Sequence, residues 1–307
     1  MDTFITITVV SDSEKTAGTA IENAFARIEQ FGTMINFFSP DSELAMVNKN
    51  AGVASTRVSP ETLDVIDKAL YVAEKSKGAF DPTIGPVMKL WDFHENIKPE
   101  DAEVKKILPL VNYRNVRIDQ KESTVFLTRK GMLLDLGGIA KGYAADLAVE
   151  TLKRQGIRSG IVAIAGDIKT FGSRPDGRPW NIGIRNPRQK GEKDEIIATI
   201  SLSDKAISTA GDYERFFIRN GQRYHHIMNP ATGYPAYGTR SVSVVSDTGV
   251  FADGFDNAVF VLGPEKGANL IEQLNRDFPV DAFIIYDNDT EYITAGIKGL
   301  LKHEKEH

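Results

Sequence analysis

Asp253, Asp256 and Asn257 stand three and four residues apart in Ala252-Asp-Gly-Phe-Asp-Asn-Ala258. On a helix that spacing places three side-chain oxygens on one face. Hard oxygen ligands of this kind suit Mg2+, with water and phosphate completing an octahedron. An Asp253 that merely caps the helix has the same spacing. A further carboxylate, Asp167, follows Gly166 and the apolar run 161–165. It reads as a functional strand-end carboxylate or as a turn residue.

Leu134-Asp135-Leu-Gly-Gly138-Ile-Ala-Lys141-Gly-Tyr143 reads as a strand ending in an aspartate, a glycine turn and a helix start. Free amides at a helix start favour anions, and Lys141 in the first turn can meet a phosphate or carboxylate. An ordinary strand–helix connection looks the same, and the stretch matches neither the dinucleotide fingerprint nor the P-loop. In Gly78-Ala-Phe-Asp81, Phe80 can pack on a flat ring or in the core. Asp81 there can accept from a ring or ribose donor. His225 and His226 are neighbours on an expected strand, so their side chains point to opposite faces and only one serves a given pocket. Neither His225 nor His226 has a partner at zinc-ligand spacing, and no Gly-x-Ser-x-Gly elbow is present.

The elements that position these groups alternate between helix and hairpin. Runs 214–219 and 222–227 flank Asn220-Gly221, the strongest short hairpin signal. The hairpin delivers the two histidines to the turn-forming Asn229-Pro-Ala-Thr-Gly233. Helices are expected over 19–35, from Pro60 behind the cap Ser59 to about 76, over 140–154 and over 251–262. Strands are expected over 1–10, 124–128, 132–135, 160–171, 180–185, 196–202, 240–246, 282–286 and 291–294. Residues 94–122 read as polar, irregular and peripheral. Strands outnumber helices and hairpins join many of them, so the fold class is α+β with mainly antiparallel sheets packed with helices.

A chain of 307 residues with 41% hydrophobic and 26% charged content can bury a sizeable core as one domain or two. Thirty-seven basic against forty-two acidic side chains give a formal charge of −5 with no basic block, which argues against nucleic acid as partner. The sequence has no cysteine, so disulfides, thiolate zinc sites and cysteine nucleophiles are excluded. No apolar run reaches the roughly 18–20 residues that span a bilayer.

In this order, the pieces resemble the FAD:protein FMN transferase family (ApbE/Ftp). The resemblance runs from Thr3 to about Gly263. It is carried by Ser39-Pro-Asp-Ser-Glu-Leu44, Gly78-Ala-Phe-Asp-Pro-Thr-Ile-Gly-Pro86, Asp135-Leu-Gly-Gly-Ile-Ala-Lys-Gly-Tyr143 and Ala165-Gly166-Asp167. Ser208-Thr-Ala-Gly-Asp212, His226-Ile-Met-Asn-Pro-Ala-Thr-Gly233 and Ala252-Asp253…Asn257-Ala258…Gly263 complete it. It implies a T-fold-like α+β protein of a single domain over 1–307, or of two intertwined subdomains. Such a protein binds FAD and Mg2+ and attaches FMN through a phosphoester to Thr or Ser of a target flavoprotein, releasing AMP.

Position by position, the resemblance implies that Ala79, Phe80 and Asp81 contact the flavin or adenosine and that Phe38 stands by the isoalloxazine. Met1, Asp135, Lys141 and Met228 would line the FAD site. Gly138 through its carbonyl, with Asp253, Asp256 and Asn257, would hold Mg2+. His226 is the expected base for the acceptor hydroxyl, with Asp167 as rival base or second-metal ligand. Asn257 stands where threonine is usual, and Phe38 where tyrosine is common. The alternative readings are a Mg2+-dependent FAD pyrophosphatase and a flavin-binding protein without turnover. The resemblance also suggests a mature exported domain, periplasmic or membrane-anchored, whose leader is absent; a cytosolic protein is the other reading.

Overall fold

A computed structural model describes residues 3–188 and 195–304, so the expectation for Met1 lies outside the described residues. Seven strands form the central sheet: β1 (Ile5–Val10), β2 (Ser159–Ile164), β3 (Asp167–Phe171), β4 (Ala206–Gly211), β5 (Thr239–Ser246), β6 (Val280–Tyr286) and β7 (Glu291–Ile293). They neighbour one another in chain order, and every pair is antiparallel. The register sets Ser208 opposite Val244 and Ile168 opposite Ile207. Ser208 therefore shares the face of Val244, while Ile207 points the other way.

Four long helices matter for the site: α1 (Glu14–Met34), α2 (Pro60–Lys75), α3 (Ala140–Arg154) and α4 (Gly249–Leu274). Phe31, Val162, Val242, Val244, Phe255 and Phe260 are buried between helices and sheet. On the opposite face, Ile207, Val245 and Phe283 pack against Ile182, Ile184, Ile200 and Leu202 of a small three-stranded sheet. The α+β class read from the sequence is the class of the structure.

Local chemistry explains the boundaries. Ser59 Oγ accepts from Thr62 N at 3.2 Å with Pro60 at the first helical position, the arrangement its sequence signals. Asn220 (φ 52°) and Gly221 (φ 76°) make the tight turn between Phe216–Arg219 and Gln222–His225. The strands are shorter than the expected 214–219 and 222–227, and His226 follows the last paired residue with its N still donating to Arg215 O at 3.1 Å.

Four expectations are corrected. The single strand over 160–171 is two, because the chain reverses at Ala165, whose φ of 52° the apolar pattern does not signal. Residues 132–135 hold only an isolated bridge from Leu133 to Ile84. The irregular 94–122 contains the helix Asp101–Ile107, whose entry is fixed by Glu100 N donating to Glu103 Oε2 at 3.1 Å. Finally, α4 breaks at Gly263 (φ 73°) before Pro264, where the sequence ends it, but resumes to Leu274.

Candidate active site

Helices α3 and α4 meet at their N-terminal turns through a glycine pair. A Cβ on Gly142 would sit 2.0 Å from Gly249 O, and one on Gly249 would sit 2.4 Å from Gly142 O, so only glycine permits the approach. Neither helix receives a side-chain bond from its own N-cap residue, Ile139 or Thr248. Each takes its cap from the other. Asp146 of α3 accepts from Gly249 N (2.8 Å) and Val250 N (3.0 Å) of α4. Asp253 of α4 accepts through Oδ2 from Gly142 N (3.0 Å) of α3. Orphan amides of a first helical turn are thus satisfied across the crossing.

At this crossing β3 and β4 bring two more groups to the helices. Asp167, Asp253 and Asp256 are all buried, and one oxygen from each lies within 4.8 Å of the others. Ser208 Oγ bonds Asp256 Oδ2 at 2.5 Å and also touches Asp167 Oδ1. Lys141 Nζ reaches Asp167 Oδ2 at 2.8 Å and Asp253 Oδ1 at 3.1 Å. Three carboxylates thus face a single ammonium. Burial, and then the charge of Asp167, push Asp253 up to about 6 against the pull of Lys141 and the Gly142 amide. Burial and the charges of Asp253 and Asp167 raise Asp256 well above the carboxylate range. For Lys141, burial favours the neutral amine, but Asp167 and Asp253 outweigh it and keep the group firmly protonated.

This donor set fits a divalent cation: hard oxygens, held close, with more negative charge than the protein itself neutralises. Asn257 lies against these carboxylates, and Gly138 against Asn257. Asn257 Nδ2, not its oxygen, faces Gly138 O (3.4 Å), and it also donates to Asp253 O (3.0 Å) and Asp256 Oδ1 (2.8 Å). The amide bridges three oxygens that would otherwise repel one another. Its Oδ1 would meet a cation at these carboxylates only after a half-turn about χ2.

The remaining expected residues fall into distinct environments. Phe38 is 90% exposed, with its ring edge-on to Phe37, and so has a face free for stacking. Ala79 is half-buried beside Phe80, which is buried in the main core. A Cβ on Gly138 would come within 3.2 Å of the Phe80 ring. Asp81 serves its own loop: Oδ1 accepts from Thr83 N (2.8 Å) and Thr83 Oγ1 (2.6 Å), and Oδ2 from Tyr113 N (2.9 Å). Burial nonetheless pushes its carboxyl up. Asp135 turns back to accept from Gly137 N at 2.8 Å, and burial raises it as well. Met228 lies in a separate buried cluster with Val87, Trp91 and Phe217.

The two histidines separate as strand geometry requires. His225 is buried, bonds Ala236 O through Nε2 at 2.7 Å and packs edge-on to Phe260 and Tyr237. His226 has a buried Nδ1 with no hydrogen-bond partner among the described residues. Burial, then the neighbouring His225 and Arg215, push it down to about 3. At neutral pH it is an uncharged imidazole. Sequence reasoning gave no role to Ser208, Gly142 or Asp146. Ser208 stood in a quoted motif, but only the strand register shows that it points at two carboxylates.

The structure therefore defines an α+β protein with a charged centre buried where a sheet meets the N-termini of two helices. Residues 1–282 match the ApbE family, and the chain belongs to that family. The FAD:protein FMN transferase of Treponema pallidum is 37% identical over 295 residues, covering 91% of this chain and 80% of its own. That of Haemophilus influenzae is 29% identical over 302 residues, covering 96% and 85%. The crystal structure of the ApbE protein of Thermotoga maritima gives a TM-score of 0.89 at 31% identity, with 97% of this chain and 96% of that one covered. The flavin transferase ApbE of Vibrio cholerae gives 0.82 at 29%, covering 98% and 96%. Among the described residues no helix is long and apolar enough to cross a membrane.

Proposed function

We propose that this chain is an enzyme that transfers FMN from FAD to a Thr or Ser hydroxyl of a target flavoprotein. The acceptor oxygen forms a new bond to the phosphorus on the FMN side of the pyrophosphate. The P–O–P bond breaks, and its electron pair leaves on the phosphate of AMP. The observation that carries this reading is the centre of Asp167, Asp253 and Asp256, with three carboxylates around one lysine. When bound there, Mg2+ supplies positive charge against the pyrophosphate oxygens and the departing phosphate.

The protein's own groups do the rest. Phe38 offers its exposed face to the isoalloxazine. The loop Gly78–Pro86, held in shape by Asp81, presents Ala79 beside the buried Phe80. Lys141 is the cation within reach of a phosphate. The acceptor hydroxyl must lose a proton as its oxygen attacks. We assign it to His226, whose Nδ1 has no hydrogen-bond partner among the described residues. The same burial that keeps the ring neutral weakens it as a base, and Asp167 is the rival acceptor. Water in place of that hydroxyl would give FMN and AMP.

The test is to mix the protein with FAD, Mg2+ and a candidate acceptor, and look for flavin fluorescence on the acceptor band after denaturing electrophoresis. Fluorescence should require all three components and vanish with Asp253→Ala. Yellow FAD retained without FMN or AMP would instead mark a binding protein.

A further inference from the structure

We infer that Lys141 is a built-in placeholder for the divalent cation, and that FAD and metal bind cooperatively because each draws this ammonium out of the acidic centre. The inference rests on the metal-dependent reading above and concerns how that site loads.

The oxygens around the centre can be accounted for one by one. Asp253 Oδ2 accepts from Gly142 N, so the oxygen left for a cation is Oδ1, and Lys141 Nζ holds it at 3.1 Å. Asp167 Oδ1 touches Ser208 Oγ, leaving Oδ2, and Lys141 Nζ holds that as well, at 2.8 Å. The two oxygens of Asp256 meet Ser208 Oγ and Asn257 Nδ2. On Asp167 and Asp253 the oxygen not engaged by a backbone amide or by Ser208 is the one that the ammonium holds, so a cation drawn to that oxygen competes with Lys141. Among the described residues no other cationic side chain is paired with these carboxylates.

Lysine suits such an exchange, because its charge is a compact point on a flexible four-carbon stem. The Lys141 side chain is 30% exposed, while those of Asp167 and Asp253 are 5% and 1% exposed, so the lysine can leave towards solvent and the carboxylates cannot. A departing ammonium needs a new anion. The FAD pyrophosphate supplies one at the start of α3, where Lys141 is rooted. A ligand shifts an equilibrium only by its differential affinity for the two states. Metal and FAD both favour the state with Lys141 swung out, so each must tighten the other by the same factor.

The test is calorimetric titration of Mg2+ into the wild-type protein, Lys141→Met and Asp253→Asn, each with and without FAD. Lys141→Met should bind Mg2+ alone at least tenfold more tightly than wild type, bind FAD more weakly, and lose most of the FAD-induced tightening. Mg2+ binding by Lys141→Met no tighter than by wild type overturns the placeholder while leaving the metal site intact. Mg2+ binding that survives Asp253→Asn unchanged overturns the metal reading and the placeholder with it. A second measurement needs no variant: acetylation of Lys141 in the wild-type protein, followed by mass spectrometry. Mg2+ alone should speed it several-fold and added FAD should suppress it again; a rate indifferent to Mg2+ overturns the inference.

Discussion

Asp146 and Asp253 perform the same structural act on opposite sides of one helix crossing, and their surroundings make them different residues. Each is a carboxylate on one helix that caps the other through backbone amides. Asp146 has two such amides and Lys169 4.0 Å away, and among the described residues it joins no cluster of three acidic groups. Burial raises it, but Lys169 and the amides of Gly249 and Val250 oppose the rise. Asp253 has one amide, a shared ammonium and two buried carboxylates beside it. A carboxylate whose charge is met locally holds a fold together. One packed against like charges stores a demand for a cation, and the demand marks the site.

The largest effect should come from removing the crossing that both share. Gly142→Ala places a methyl group 2.0 Å from Gly249 O, which the backbone must move to accommodate. Overpacking of this kind costs about 1–3 kcal/mol or more. Both caps are lost together, so urea unfolding and flavin transfer should fail in parallel. Full activity in a stable Gly142→Ala protein would show that the crossing does not position Asp253.

The two carboxylates should then part company. Asp253→Asn should lower the transfer rate by roughly a thousandfold, equivalent to about 4 kcal/mol of barrier, yet raise the melting temperature of the metal-free protein. Asp146→Ala should leave the rate per folded molecule within a few-fold while costing about 1–3 kcal/mol in urea, the penalty for unsatisfied buried amides. If both substitutions lost both properties, the distinction drawn from their neighbours would be wrong. His226→Ala should come next, lowering transfer by about 10²–10⁴-fold, the usual share of a positioned proton acceptor. Melting should fall only by the lost packing of the ring, since its Nδ1 has no hydrogen bond to lose.

How much of this the sequence shows depends on the range over which each arrangement is built. The three-residue spacing of Asp253 and Asp256 predicts a shared helical face, because helical geometry is local, and the two are indeed together. Asn220-Gly221 predicts its turn for the same reason. The Asp146 cap is not legible, since the amides it serves lie 103 and 104 residues further along the chain. Ser208 is equally silent: its neighbours are set by strand register across β3, β4 and α4. The amide orientation of Asn257 and the burial of His226 are properties of surroundings that no spacing encodes. Residue types name the candidates, and tertiary contacts decide which are in excess.

The smallest effect tests the comparison through pH. Asp253 titrates at about 6 in the folded protein against 3.8 in the unfolded chain, so the folded state holds the extra proton between these values. Where the folded state binds more protons, stability falls as pH rises. The metal-free wild type should therefore lose stability relative to Asp253→Asn as pH climbs from about 4 to 6, with the gap constant above that. The direction for Asp256, raised by the same burial and like charges, is the same. Mg2+ should close or reverse the gap, since a bound cation favours the ionised carboxylates and binds only the folded wild type. Melting curves of the two proteins at pH 4, 5, 6 and 7, with and without Mg2+, read this directly. A gap that is independent of pH would mean that Lys141 already balances the centre and that Asp253 holds no extra proton in the folded state.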